Sequence, residues 1–353
     1  MSPALQILRL YAALLVLGQH IEDRLAGFSE NYHVAVLHIG FDGSFGVRIF
    51  FVISGLLMVW IAHDRFGSLR NVGRFFIDRV TRIAPLYWSA TTVQALFLAW
   101  AASRKDPAAL ANLSLENFLR SLFFIPYLNE SGKHRPLLEQ GWTLNYEMFF
   151  YILFGLSLAF PRALGFSLSL GLLLGLYLWG IGTPIPIEWL SLLSSDMLLD
   201  FGAGMLLGHI TAPSKCPLDQ RRTLPFQNSL ILLLVGTCSM VLDSGFGGGW
   251  CLSSTAAVTA VALCAFFQNA GESRLQALLV QLGNASYSLY LTHGFALLAV
   301  GIFWRKVFGG DALWLYFAIC TMSAVSLSWL CWKYFEVPIT RVARWALTAG
   351  SPE

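Results

Sequence analysis

The sequence predicts an all-α integral membrane bundle of about ten transmembrane helices, with both termini on the cytoplasmic side. Three observations predict it. Of the 353 residues, 56% are hydrophobic and 12% are charged, about half the charged share of a soluble domain, and mean hydropathy is +0.62. Apolar windows long enough to cross about 30 Å of hydrocarbon recur along the whole chain. With the N-terminus inside, thirteen Lys and Arg residues fall in cytoplasmic loops and eight in outer ones. Five of those eight share one long loop, where the positive-inside bias weighs least.

The predicted spans are Leu5–Ile21, Phe45–Ala62, Ala84–Ala102, Trp142–Phe160, Gly165–Ile181, Trp189–Ile210, Asn228–Leu242, Trp250–Phe267, Ala285–Trp304 and Leu313–Tyr334. Phe118–Leu128 is apolar but short and contains Pro126, so it reads as an interfacial or re-entrant piece. The first run lacks a basic leader and holds Arg9 and His20 within it, so it is a retained span rather than a signal peptide. One domain is expected over residues 1–345, with a long outer loop at 103–141 and a short tail at 346–353 that predicts no appended soluble domain. The six Cys residues form no C-x-x-C pair and five lie in apolar runs, so they read as packing residues; neither a disulfide framework nor a metal site is expected.

Ionisable residues inside apolar spans are costly to bury and therefore point to function. Arg9 and His20 lie 11 positions apart, about 16 Å along a helix and nearly on one face. Arg48 near the outer end of the second span is either a snorkelling cation or a buried anion-binding group. Ahead of the third span, Arg79 and Arg82 share a helical face, with Pro85 expected in the first turn of that span. Such arginines anchor a helix to anionic lipid or grip phosphates in bidentate fashion. Glu147 sits in the fourth span between Thr143 and Tyr151, where it either orients an imidazole or pairs with an arginine. In the ninth span Ser286, Tyr290 and His293 share a face. In the last span Lys333 and Glu336 are spaced for an ion pair, and Pro338 is placed to stop the helix. The outer loop residues Asn129, Glu130, Lys133, His134, Arg135, Glu139 and Gln140 suit a polar ligand such as a sugar, or simply solvent.

In order, these segments resemble the acyltransferase 3 family of integral membrane enzymes. The resemblance rests on the Arg-x10-His spacing of Arg9 and His20, the G-x-x-x-FFVxSG stretch from Gly46 to Gly55, and FxxxRxxRxxPLYW ending at Trp88. It continues through WTLxxE at Trp142 to Glu147, SYSLYLTH at Ser286 to His293, and FExP at Phe335, Glu336 and Pro338. Arg48 departs from it, since many members carry an acidic or polar residue there.

The resemblance implies acetyl transfer from acetyl-CoA to a hydroxyl of a glycan or lipid-linked oligosaccharide, in a bacterial inner membrane and without metal or nucleic acid. It implies His20 as general base or acyl relay, with Glu147 and His293 as catalytic companions. Arg9, Arg79 and Arg82 would face the donor phosphates; Arg48, Trp142, Asn145 and Tyr290 would contact the acceptor. Two other readings use the same residues. A proton-coupled transporter or flippase of a lipid-linked sugar would use His20, Glu147 and His293 as a relay, although no internal repeat is visible. A non-catalytic scaffold would use the buried charges only to set helix register.

Overall fold

The computed structural model describes residues 2–32, 39–104, 113–129, 132–182, 195–211, 223–224, 249–266, 268–269, 273–308 and 312–348. The protein is all-helical in architecture. Among the described residues the helices are α1 (Pro3–Tyr32), α2 (Gly43–Ile61), α3 (Leu69–Ser103), α4 (Leu115–Leu122), α5 (Trp142–Ser157) and α6 (Arg162–Gly182). They continue with α7 (Met197–Ile210), α8 (Gly249–Phe266), α9 (Arg274–Asn284), α10 (Ser286–Val307), α11 (Leu313–Cys331) and α12 (Val337–Thr348). A wide π turn, Trp332–Glu336, joins the last two. Two two-residue strands, Thr223–Leu224 (β1) and Gln268–Asn269 (β2), pair in parallel.

Eight of the ten predicted spans overlap helices; of the sixth, Trp189–Ile210, the described part carries the helix Met197–Ile210, and the seventh, Asn228–Leu242, lies outside the described residues, as do Cys216 and Cys238. Among the described residues, five helical stretches are long and apolar enough to cross a membrane: Pro3–Gly27, Gly43–Ile61, Arg162–Gly180, Ser286–Val307 and Leu313–Leu347. Met197–Ile210 and Leu252–Ala265 are shorter apolar helices.

The chain folds as two compact units, Met1–Leu56 with Leu206–Tyr334, and Leu57–Met205 with Phe335–Glu353. In the first, α1 is the hub and packs against α8, α9, α10 and α11. Its Leu10, Ala13, Leu17, Ile21 and Leu25 recur at intervals of three and four and form the apolar stripe expected of a packed helix. They meet Leu289, Ala296, Leu297 and Trp304 of α10 and Tyr316, Cys320 and Ala324 of α11. Small residues bring neighbours close: a methyl group on Gly283 would run into the Gln6 carbonyl, and one on Gly46 into that of Ala12. Gly283→Ala is therefore expected to destabilise the chain by about 1–3 kcal/mol in a thermal melt in detergent. Gly73→Ala, with open space around it, should leave the melt unchanged.

In the second unit α3 packs against α4, α5 and α12, and α5 against α6. Phe75, Tyr87, Phe150, Phe154 and Phe201 are fully buried, and the rings of Phe150 and Phe201 stack at 4.0 Å. The short apolar piece after the third span is the helix α4, capped by Ser114, whose side chain accepts the Asn117 N–H at 3.0 Å. Tyr87 and Trp88 of α3 hold it by donating to the carbonyls of Ser121 (3.0 Å) and Leu122 (2.8 Å).

Three expectations are corrected. Pro85 lies inside a continuous helix that begins at Leu69, because the arginine-rich approach to the span is itself helical. Pro338 does not end a helix: it lies within a helical run that continues from the π turn Trp332–Glu336 into α12. Glu336 pairs with Arg82, while Lys333 lies over the rings of Trp329 (4.7 Å) and Tyr334 (5.3 Å). The π turn spanning both residues removes the i, i+3 alignment of a regular helix.

Candidate active site

In the first unit α1 and α10 bring His20 and His293 together. Their rings stack with centroids 5.2 Å apart and planes 23° from parallel. His293 is buried, and its Nδ1 lies 2.9 Å from the carbonyl of Leu289 one turn back. A carbonyl only accepts, so Nδ1 carries the proton and Nε2 presents a lone pair. That Nε2 is buried without a hydrogen-bond partner. His20 is the accessible member, with 40% of its side chain exposed, and its Nδ1 lies 3.5 Å from Asp23 Oδ2. A carboxylate beside one ring nitrogen favours a proton there.

Asp23 and its neighbour Glu22 were not legible as site residues, because the apolar window ends at Ile21 while α1 continues to Tyr32. Glu22 is buried and binds backbone N–H groups of the segment after α1. The signal available was two carboxylates within three residues of an intramembrane histidine.

The other expected residues of this unit take separate positions. Arg9 lies lower on α1 with Nη1 at 3.4 Å from Gln6 Oε1. Arg48 is buried and donates to Ser254 Oγ of α8 at 2.8 Å. Tyr290 is buried on α10, with its ring 6.4 Å from that of His293 and 6.0 Å from that of Phe50.

Arg79, Arg82, Trp142, Asn145 and Glu147 belong to the second unit. Glu147 accepts a hydrogen bond from the Tyr151 hydroxyl one turn along α5. The Arg79 guanidinium lies 6.0 Å from the Tyr151 ring and 5.9 Å from the Phe75 ring, and its Nε is buried without a hydrogen-bond partner. Arg82 is tied by an ion pair to the fully buried Glu336 of the last helical segment. Asn145 is buried with Oδ1 unsatisfied. Arg135 covers the Trp142 ring at 4.5 Å. Among the described residues no three His, Cys, Asp or Glu side chains gather to hold a metal ion.

Ahead of the apolar part of α3, Asp78 is held between Arg65 (2.9 Å) and Arg344 (2.6 Å). Burial pushes its carboxyl up, but the hydrogen bonds and charges of the two arginines outweigh this and leave it below its ordinary 3.8. A depressed pKa in the folded state gives stability that is complete above the unfolded value and is lost as pH falls below it. The melting temperature of the wild type is thus expected to drop below pH 3.8, more steeply than that of Asp78→Asn, in a detergent melt across pH. Parallel curves would contradict the pairing.

Helices long and apolar enough to cross a membrane, two of them carrying a stacked histidine pair, define the chain as a helical membrane protein. The family described as "Acyltransferase domain", acyltransferase 3, matches residues 2–333. The chain belongs to that family and is a membrane acyltransferase. It is 35% identical over 259 residues to the exopolysaccharide production protein ExoZ of Rhizobium meliloti (strain 1021), covering 73% of this chain and 78% of that protein. It is 27% identical over 159 residues to the acyltransferase MdmB of Streptomyces mycarofaciens, covering 44% of this chain and 38% of that one. No solved structure matches the chain.

Proposed function

We propose that this chain transfers an acetyl group from acetyl-CoA to a hydroxyl of an exported polysaccharide. In this reading it works in a bacterial inner membrane as a ten-span bundle with both termini in the cytoplasm and one acyltransferase domain over residues 1–345. The observation that carries it is the stacked pair of imidazoles, one accessible beside Asp23 and one buried with its tautomer fixed. The name of the ExoZ relative, an exopolysaccharide production protein, supports a polysaccharide acceptor.

The chemistry follows from those groups. Acyl transfer to a hydroxyl needs a base that is neutral near physiological pH, which an ordinary imidazole is. The imidazole of His20 removes the acceptor proton as the hydroxyl oxygen attacks the thioester carbonyl. The new C–O bond forms, the C–S bond breaks, and the proton on His20 passes to the departing thiolate. His293 and Asp23 hold the His20 ring from its face and its edge. Glu147, bonded by Tyr151, is the carboxylate that orients a proton-carrying group in the second unit. For the donor phosphates the candidate groups are Arg9 in the first unit and, in the second, Arg79 and Arg82, Arg79 with a buried Nε that has no hydrogen-bond partner. For the acceptor they are Arg48 and Tyr290 in the first unit and Trp142 and Asn145 in the second, where the unsatisfied Oδ1 of Asn145 suits a sugar hydroxyl.

Mass spectrometry of surface polysaccharide from cells with and without this chain tests the reading. Loss of the acetyl increment with unchanged polysaccharide yield is expected. Loss of surface polysaccharide whose acetylation is otherwise intact would instead identify a transporter.

A further inference from the structure

Residues 39–43, at the entry to α2, are fastened to the turn of α1 that bears His20, and the fastening is made by side chains on either side of that histidine. Glu22 accepts the backbone N–H groups of Ile39, Gly40 (2.8 Å) and Phe41 (3.2 Å). Gln19 Oε1 accepts the N–H of Gly43 at 2.6 Å. Four backbone donors in a stretch of five residues thus end on Gln19 and Glu22, the residues immediately before and two after His20. Gly40 permits this course because its φ of +85° is left-handed, a conformation that strains residues bearing a Cβ. Gly18 leaves room for the Phe41 ring, which a Cβ would meet at 2.5 Å, and that ring also stacks on Phe317 at 5.6 Å.

The segment then leads directly into the proposed acceptor side. Asp42 Oδ1 caps α2 by accepting the N–H groups of Ser44 (2.8 Å) and Phe45 (3.2 Å). From there α2 carries Arg48 to Ser254 and Phe50 to Tyr290. A buried carboxylate bound by three N–H groups makes strong, charge-assisted bonds with little freedom to reorganise. Packing alone does not call for a charge at this place; a backbone segment held in one position does.

We propose that Glu22, seconded by Gln19, is a positioning residue that holds the 39–43 segment beside His20 as one wall of the acceptor entrance. It acts on acceptor binding and leaves the donor and the His20 base untouched. The proposal rests on the acyl-transfer reading above, and the test separates the two.

The experiment uses the purified full-length chain in lipid nanodiscs, with acetyl-CoA and acetyl-free polysaccharide varied in turn. Glu22→Gln keeps the side-chain size but turns an N–H donor toward backbone N–H donors. It is expected to raise the acceptor KM by about tenfold, the scale of a lost charge-assisted bond, with the donor KM unchanged. Gln19→Ala, which removes one bond, should shift the acceptor KM in the same direction by less. Hydrogen exchange at Gly40 and Phe41 should be slow in the wild type and faster in Glu22→Gln, a readout independent of activity. An unchanged acceptor KM with less folded protein, equal rises in both KM values, or unchanged exchange at those amides overturns the positioning role. A wild type that transfers no acetyl group overturns the functional reading itself, whatever the exchange data show.

Discussion

Replacing His20 by alanine is expected to lower acyl transfer by about 10²–10⁴-fold, the range supplied by a positioned general base, with the amount and melting temperature of the protein unchanged. The expectation follows from position. His20 is the accessible ring of the pair, and its side chain is 40% exposed, so little packing is lost with it. His293→Ala differs, because it removes a buried ring and the bond to Leu289, so stability should fall along with activity. Retention of full transfer by His20→Ala would remove the imidazole from the mechanism.

The second large effect is on stability. Glu336 is fully buried and its partner Arg82 is 35% exposed. Glu336→Ala is expected to destabilise the chain by about 2–4 kcal/mol, toward the lower end for a broken buried pair because solvent reaches the arginine. The double variant Glu336→Leu with Arg82→Met should recover most of this, since neither charge then remains buried alone. Thermal melts of the single and double variants in one detergent provide the check. A Glu336→Ala melt equal to that of the wild type would show that the pair does not hold the π turn before α12 to α3.

Much of the architecture was visible in the sequence because one physical quantity, the apolar length of a segment, sets where a chain can cross a bilayer. It located α2, α10 and α11 to within a few residues, and the start but not the end of α1. It failed where a helix is not apolar. α9 mixes polar and apolar residues over only 11 positions and so reads as part of a loop, and the arginine-bearing start of α3 reads as separate from the span that continues it. His20 and His293 stood out because each is an ionisable group in an apolar run, and the shared face of Ser286, Tyr290 and His293 placed the second ring correctly within its helix.

That the two rings stack was not legible, because spacing along one helix carries no information about distances between helices. The same limit hid the partner of Glu336. Local spacing offered Lys333, three residues away, whereas the chain places Arg82 there across 254 positions. Glu22 and Asp23 escaped for another reason: charged residues just past an apolar window read as solvated loop until the helix is seen to continue through them.

The proposed transfer of an acetyl group from acetyl-CoA to polysaccharide by this chain itself is open to direct measurement. Purified protein in nanodiscs, supplied with acetyl-CoA labelled in the acetyl group and with de-acetylated polysaccharide, measures it most directly. The account predicts label covalently bound to the polysaccharide and released by mild base, with free coenzyme A formed in equal amount. Polysaccharide that stays unlabelled in the presence of folded wild-type protein would contradict it.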